Sequence, residues 1–236
     1  MNIHILKIFI CSYLKNTMTI TILTLVIGAD YRRKLADCLE SKAAYAKKHG
    51  YTYIQGDETY WNRDRPIAWS KVPFILDQLK KLPENAIVWL SDADVLITNP
   101  ELRLEDQALP IWQNEKDFLM TLDSCGHINS GNVFFRNTAW TRSYWSRVWE
   151  QTDCLYHIWW ENAAMIKLYQ TVPTDNAKIQ ITKEHKRFKA FLRGLEGEPL
   201  WEPGDFLVHF AGVYDPKQMN QLVEAIRRGE VPRLPM

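Results

Sequence analysis

Two aspartates separated by one small residue, in Ser91-Asp92-Ala93-Asp94, are the first residues of this chain whose types and spacing could do chemistry. They follow the apolar run Ile87-Val88-Trp89-Leu90 and precede Val95-Leu96-Ile97. Carboxylates are costly to bury, so a pair fixed between apolar runs demands a partner. Side chains alternate along an extended strand, which puts Asp92 and Asp94 on one face with little bulk from Ala93 between them. Two hard oxygen ligands so placed suit magnesium or manganese, above all when phosphate oxygens complete the shell. D-x-D also arises by chance in solvated loops, but the flanking apolar runs point to a buried edge. His209, in Leu207-Val208-His209-Phe210-Ala211-Gly212, ends another apolar run and is a candidate third ligand. Taken alone, a histidine in such a strand is more often a satisfied core residue.

The elements that must position these residues read as alternating strand and helix. Thr19 to Ile27 is dense in β-branched residues and stops at Gly28, the pattern of a buried first strand. Tyr31 to Lys48 carries Leu35, Leu39, Ala43 and Ala44 at helical spacing and stops at His49-Gly50. Tyr51 to Ile54 is a second strand, so the chain opens as a βαβ unit and favours a parallel sheet. A helix over Ala68 to Leu82 leads to the strand Ile87–Leu90, and the aspartates follow it directly. In open α/β sheets ligands bind beyond the carboxyl ends of strands, where this pair falls. Further strands are predicted at Phe118–Leu122, Val133–Phe135 and Phe206–Phe210, and helices at Trp140–Glu150, Trp160–Tyr169 and Asp215–Arg228. No repeat or linker divides the chain, so one domain over 18–236 is expected. Residues 1–17 form an apolar extension of uncertain role, and Met18 is an alternative start.

Composition narrows the function classes. Of 236 residues, 46% are hydrophobic and 24% charged, as in a soluble globular chain. Lys+Arg (29) and Asp+Glu (28) nearly cancel, so no nucleic-acid partner is expected. Cys11, Cys38, Cys125 and Cys154 form no C-x-x-C pair, which removes a structural zinc site and favours free thiols in a reducing compartment. The apolar stretch Ile3–Leu14 falls short of the roughly 20 residues that cross a bilayer. A cytoplasmic or peripheral membrane-associated location is expected, with an interfacial anchor kept open. The basic segment Lys178 to Arg193 reads as a solvated charged face, with a basic rim as the functional alternative. Trp145 and Trp149, four apart on a helix, read as core packing, whereas Trp159 and Trp160 suit either packing or stacking on an acceptor sugar.

Four stretches in order carry a resemblance: Trp69-Ser70-Lys71 and the helix after it, Ile87 to Pro100, Asn129 to Trp140, and Gly204 to Gly212. Together they resemble the glycosyltransferase group that holds the fungal Golgi α-galactosyl- and α-mannosyltransferases and the plant xyloglucan xylosyltransferases. The resemblance spans Thr19 to Tyr214. It implies a GT-A fold, a Rossmann-like mixed sheet flanked by helices with one nucleotide-sugar site. It also implies metal-dependent, retaining transfer of a hexose or pentose to a glycan or other hydroxyl. Asp92, Asp94 and His209 would hold Mn2+ or Mg2+ against the donor diphosphate, with a UDP-sugar favoured over a GDP-sugar. Gly28, Ala29, Asp30 and Tyr31 would lie near the base and ribose. Asn129, Ser130 and Gly131 would line the donor sugar, while Ser91 and Gly212 flank the donor. Lys71 and Lys217 are candidate diphosphate contacts.

One stretch departs from the group's pattern. An acidic pair and a glutamine commonly start the helix that lines the reaction centre, and here Trp160-Glu161-Asn162 stands in their place. In that scheme Asn162 offers its amide oxygen to the sugar, and Glu161 positions the acceptor or acts as a nucleophile. The tryptophan keeps a second reading open, a catalytically degenerate nucleotide-sugar or glycan-binding protein. A metal-dependent phosphohydrolase is a third, and it would need further clustered acids, for which Asp123 is the candidate.

Overall fold

The structure is a computed structural model and describes residues 20–123 and 126–235. The extension over 1–17, Thr19, the alternative start Met18, Cys11 and Cys125 lie outside the described residues.

β1 (Ile20–Leu25), β2 (Thr52–Gly56) and β3 (Ile87–Ser91) are the parallel half of a six-stranded sheet. β5 (Phe118–Leu122), β6 (Ile128–Arg136) and β7 (Ile179–Thr182) complete it in the order β2-β1-β3-β6-β5-β7. β6 runs antiparallel to both β3 and β5, so the sheet is mixed as expected. Every residue of β3 is buried and only Leu25 of β1 is partly open, because layers cover both faces. A second sheet orders β4 (Val95–Ile97), β9 (Leu207–His209) and β8 (Ala190–Phe191) as β4-β9-β8. It adds a small platform just beyond the carboxyl end of β3.

The first predicted helix is broken at Leu35 into α1 (Ala29–Lys34) and α2 (Ala36–His49). Gly50 caps α2 in the left-handed region at φ 73°, a conformation that costs glycine no Cβ clash. The buried stripe of α2 is Cys38, Leu39, Lys42, Tyr45 and Ala46, while Ala43 and Ala44 face solvent. The stripe read from the sequence was therefore rotated, because it skipped a lysine. α3 (Lys71–Lys81) follows a 3-10 turn at Ile67–Ser70, within the range predicted as one helix, and buries Val72, Ile75 and Leu79. α4 (Leu104–Ala108) and α7 (Pro173–Lys178) were not foreseen, and neither were β4, β7 and β8. α5 (Ala139–Trp149), α6 (Trp160–Thr171) and α8 (Pro216–Arg227) match expectation, and Asp215 caps α8 through the backbone N–H groups of Lys217 and Gln218.

One apolar cluster joins the main sheet to α3, α5 and α6, with Trp145 wholly buried inside it. Trp149 packs at its edge beneath the Arg65 guanidinium, 3.7 Å from the ring centre. A second cluster fills the opposite face around Trp89, Phe134 and Phe206, and a third joins α2, α8 and the small sheet. The segment 178–193 contradicts its reading as a solvated face: Ile179, Lys189, Ala190, Phe191 and Leu192 are buried. Cys38 and Cys154 are buried free thiols. No helix of the described residues is long and apolar enough to cross a membrane.

Candidate active site

The backbone leaves β3 at Ser91 and turns at Ala93-Asp94, closed by the Val95 N–H on the Asp92 carbonyl at 3.3 Å. The carboxylates therefore converge across a turn, where the sequence suggested strand alternation. Lys42 makes the turn rigid. Its side chain is fully buried, and its Nζ donates to the carbonyls of Asp92 (2.9 Å), Ala93 (3.2 Å) and Val95 (2.8 Å). Burial pulls the Lys42 amine down to about 8, although Cys38, Asp94 and Asp92 favour its charge.

His209 arrives from the other end of the chain through the antiparallel β4–β9 ladder, in which Val95 faces His209. The next residue fixes the contact, since the Phe210 N–H donates to the Asp94 carbonyl at 3.0 Å. His209 Nε2 lies 3.3 Å from Asp94 Oδ1. One ligand atom each from Asp92, Asp94 and His209 fall within 4.8 Å of one another. Burial alone would raise the Asp94 carboxyl. The charge and hydrogen bond of His209, and then the charge of Lys42, outweigh it and hold Asp94 below the usual carboxylate range.

Gly131 forms the floor of this triad. Its carbonyl accepts the Asp92 N–H at 2.7 Å. A Cβ there would sit 2.4 Å from His209 Cε1 and 2.9 Å from both Asp92 Oδ2 and Asn129 Oδ1. Only glycine lets β6 approach so closely. Asn129 Oδ1 accepts from the Gly131 N–H at 2.8 Å, so the predicted Asn129-Ser130-Gly131 stretch is brought to the triad as part of a strand.

Lys71 links the triad to α6. Its Nζ lies 2.8 Å from Asp92 Oδ1 and 3.0 Å from Glu161 Oε1. Burial would lower its pKa, but the two carboxylates prevail and keep it charged. Glu161 is only 4% exposed and also accepts from Ser130 Oγ at 3.1 Å. Asn162 departs from the role the resemblance implied for its amide. Its Oδ1 accepts from the Ser130 N–H at 3.0 Å and its Nδ2 donates to the Ile128 carbonyl at 2.9 Å, so the amide clamps β6.

The other predicted residues divide. Gly28, at φ 96°, opens the loop after β1 on the same sheet edge, and its N–H donates to Glu58 Oε1 at 3.0 Å. Ala29 and Asp30 are exposed, with Asp30 paired to Arg33. Tyr31 keeps 40% exposure, yet burial of its hydroxyl, and then the charges of Asp94 and Asp92, raise its pKa. Ser91 corrects its assignment: it is wholly buried and supports the turn from beneath, its carbonyl accepting from Thr24 Oγ1 at 2.9 Å. Gly212, at φ 76°, lies over the Arg193 guanidinium, where a Cβ would come within 2.3 Å of Nη2. Lys217 is exposed on the first turn of α8, and its side chain makes no hydrogen bond or ion pair among the described residues. Asp123 closes a turn by accepting from the His127 N–H at 2.9 Å and lies outside the carboxylate–histidine cluster.

Two residues were missed. A lysine on the apolar stripe of α2 was the available signal for Lys42. Lys189 is fully buried, with Nζ 2.5 Å from the Asn129 carbonyl, and burial pulls its amine down to about 7 against the opposing pull of Asp92. Its place between Phe188 and the Ala190-Phe191 strand was the signal. Just outside the network, Trp160 starts α6 at φ 44°, in a region that non-glycine residues adopt only when held. It is 41% exposed, beside Trp159, Ile158 and Tyr156, which are exposed too.

Residues 16–114 match the model of the galactosyl transferase GMA12/MNN10 family. A Schizosaccharomyces pombe protein named "Probable alpha-1,2-galactosyltransferase gmh2" is 24% identical over 231 residues, covering 79% of this chain and 62% of its own length. A Saccharomyces cerevisiae protein named "Probable alpha-1,6-mannosyltransferase MNN10" is 26% identical over 175 residues, 60% of this chain and 44% of its own. The chain thus spans about half the length of these relatives. The crystal structure of a glycosyltransferase involved in the glycosylation of the major capsid of PBCV-1 superposes with a TM-score of 0.70, at 15% identity, over 87% of this chain and 98% of that one. The matched family and both yeast relatives are the group that the sequence motifs resemble, and the shared fold is GT-A.

Proposed function

We propose that this chain is a metal-dependent glycosyltransferase that moves a hexose or pentose from a nucleoside-diphosphate sugar, UDP-linked before GDP-linked, to a glycan hydroxyl. The observation that carries the reading is the convergence of Asp92, Asp94 and His209 at the carboxyl edge of a GT-A sheet. Two hard carboxylates and one imidazole, floored by a glycine that no other residue could replace, fit a single Mn2+ or Mg2+. A cation held there would neutralise charge that builds on the departing nucleoside diphosphate.

The chain's own groups account for the rest of the site. Lys42 and Gly131 fix the Asp92–Asp94 turn from two sides. Lys71 ties Asp92 to Glu161, and Asn162 with Lys189 pins the Asn129–Gly131 stretch that would line the donor sugar. Both hydrogen-bonding contacts of Glu161 meet at Oε1, which supports a positioning role over that of a free nucleophile. Retention of anomeric configuration follows from the family resemblance and needs no nucleophile here. The exposed rings of Trp159 and Trp160, next in sequence to Glu161, suit the apolar face of an acceptor sugar.

Trp160 in place of an acid favours a second reading, a protein that binds the nucleotide sugar without turnover. Calorimetric titration of UDP, then GDP, with and without MnCl2 tests the donor site, and nucleotide release from the matching nucleotide sugar tests turnover. Manganese-dependent binding with release supports the transferase. Binding without release selects the degenerate site, and binding of neither nucleotide to folded protein rejects both.

A further inference from the structure

Charge points to a residue that neither the motifs nor the resemblance named. Asp92 and Asp94 would balance a divalent cation, and Lys71 is shared between Asp92 and Glu161. A nucleoside diphosphate would then arrive with its own negative charge uncompensated. The buried amines around the triad are already engaged: Lys42 by three carbonyls, Lys189 by the Asn129 carbonyl, Lys71 by two carboxylates. Arg32 and Arg33 pair with Glu58 and Asp30. Arg193 is wedged beneath Gly212 with Nη2 on the Ala211 carbonyl.

Lys189 and Arg193 likewise meet one carbonyl each, but Lys189 is fully buried and Arg193 is covered by Gly212, whereas Lys34 lines an open hollow. Lys34 is the last residue of α1, half-buried, and its Nζ donates to the Val213 carbonyl at 2.9 Å, in the loop that follows His209. That contact takes one of its three donors and none of its charge. The rings of Tyr31 and Tyr214 flank it at 5.8 and 6.0 Å, and Tyr214 is 79% exposed. Burial lowers the Lys34 pKa, while the negative charges of Asp94 and Asp215 favour its ammonium. With Asp30, Arg33, Pro216 and Asn220 it lines an open hollow of about 460 Å³ between α1 and the start of α8. A cation with spare donors, within the field of a metal ligand and at the wall of an open hollow, is arranged to receive an anion.

We propose that Lys34 binds the diphosphate of the nucleotide donor, the task the sequence had assigned to Lys217 or Lys71. The inference rests on the transferase reading, and its test separates the two. UDP is titrated calorimetrically, with MnCl2, into the wild type, Lys34→Ala, Lys34→Arg, Lys217→Ala and Lys47→Ala, the last an exposed lysine of α2 as control. Uridine, which has no phosphate, is followed by saturation-transfer NMR, and thermal melts check the fold. Lys34→Ala should weaken UDP about tenfold or more, leave uridine unchanged, and be largely restored by Lys34→Arg. Wild-type UDP affinity in Lys34→Ala would overturn the inference and leave the transferase reading intact. Equal losses of UDP and uridine would reduce Lys34 to a tether for the Val213 loop and also overturn it. A loss in Lys217→Ala alone would transfer the contact to Lys217. A folded wild type that binds neither UDP nor GDP would bring down the underlying reading, and the inference with it.

Discussion

Replacing Gly131 by alanine adds one methyl group at the point where the triad is tightest. Gly131 lies outside the left-handed backbone region, so alanine meets no conformational penalty and the effect comes from contact alone. The new Cβ would sit 2.4 Å from His209 Cε1, about 1 Å inside normal carbon–carbon contact. Asp92 Oδ2 and Asn129 Oδ1, each at 2.9 Å, block escape in other directions. The His209 ring cannot yield freely, being 4% exposed and tilted against Phe191 at 5.5 Å. Overpacking of this kind costs about 1–3 kcal/mol, which lowers the melting temperature of a chain this size by roughly 2–10 °C. Metal ligands tolerate displacements of only about 0.2 Å, so a shift of this size should weaken manganese-dependent UDP binding on the order of 10–100-fold. Calorimetry for manganese and UDP, with a thermal melt on the same sample, reads both effects. Wild-type affinity together with an unchanged melt would refute the claim that β6 floors the site.

Three further outcomes are expected. Asp92→Ala or Asp94→Ala should abolish manganese-dependent donor binding while the circular dichroism spectrum stays native, and normal binding by either would remove that residue from the metal site. Asn162→Ala deletes two hydrogen bonds to β6 and should cost about 1–3 kcal/mol in urea unfolding, with donor affinity and turnover falling together; a fall in kcat at unchanged donor affinity would return the amide to the sugar. Lys189 releases its proton near pH 7 in the folded chain against an ordinary value of 10.5, so between those limits the unfolded chain holds the extra proton and stability rises with pH. Lys189→Met should lose that gain, narrowing its deficit or widening its lead by on the order of 2 kcal/mol on going from pH 9 to pH 7 relative to wild type, and parallel urea curves at both pH values would disprove the buried-amine assignment.

The parts of the site that follow from apolar runs were legible. Ile87-Val88-Trp89-Leu90 had to be a strand, and a carboxylate pair at its end had to be held at the sheet edge. His209 was legible as a candidate for the same reason, although only the β4–β9 register brings it to Asp94. The geometry of the pair was read through the wrong cause. A strand period places two side chains on one face, whereas here a turn does so, held by a lysine from a helix fifty residues away in sequence. Such a residue eludes a hydrophobic-pattern reading because the pattern counts lysine as outward. Lys42 and Lys189 bury their charge-bearing ends on backbone carbonyls, and a one-dimensional pattern cannot see which carbonyls a fold will leave without partners. Short strands such as Ala190–Phe191 were lost in the same way, because the surrounding charges overwhelm two buried residues.

The ladder that pairs Val95 with His209 joins segments on opposite sides of most of the fold. Three residue pairs set its register, and a slip of one would swing the imidazole to the opposite face of its strand. The small sheet is thus a gauge: it measures whether the late segment has docked in one alignment and no other. Because loop closure over such a separation is slow, this pairing should be among the last contacts formed. A chain released or cleaved before Leu207 would keep the strands of the main sheet and both aspartates, yet never bring His209 to them. If Asp92, Asp94 and His209 hold a cation as proposed, completing that site would be a late step of folding.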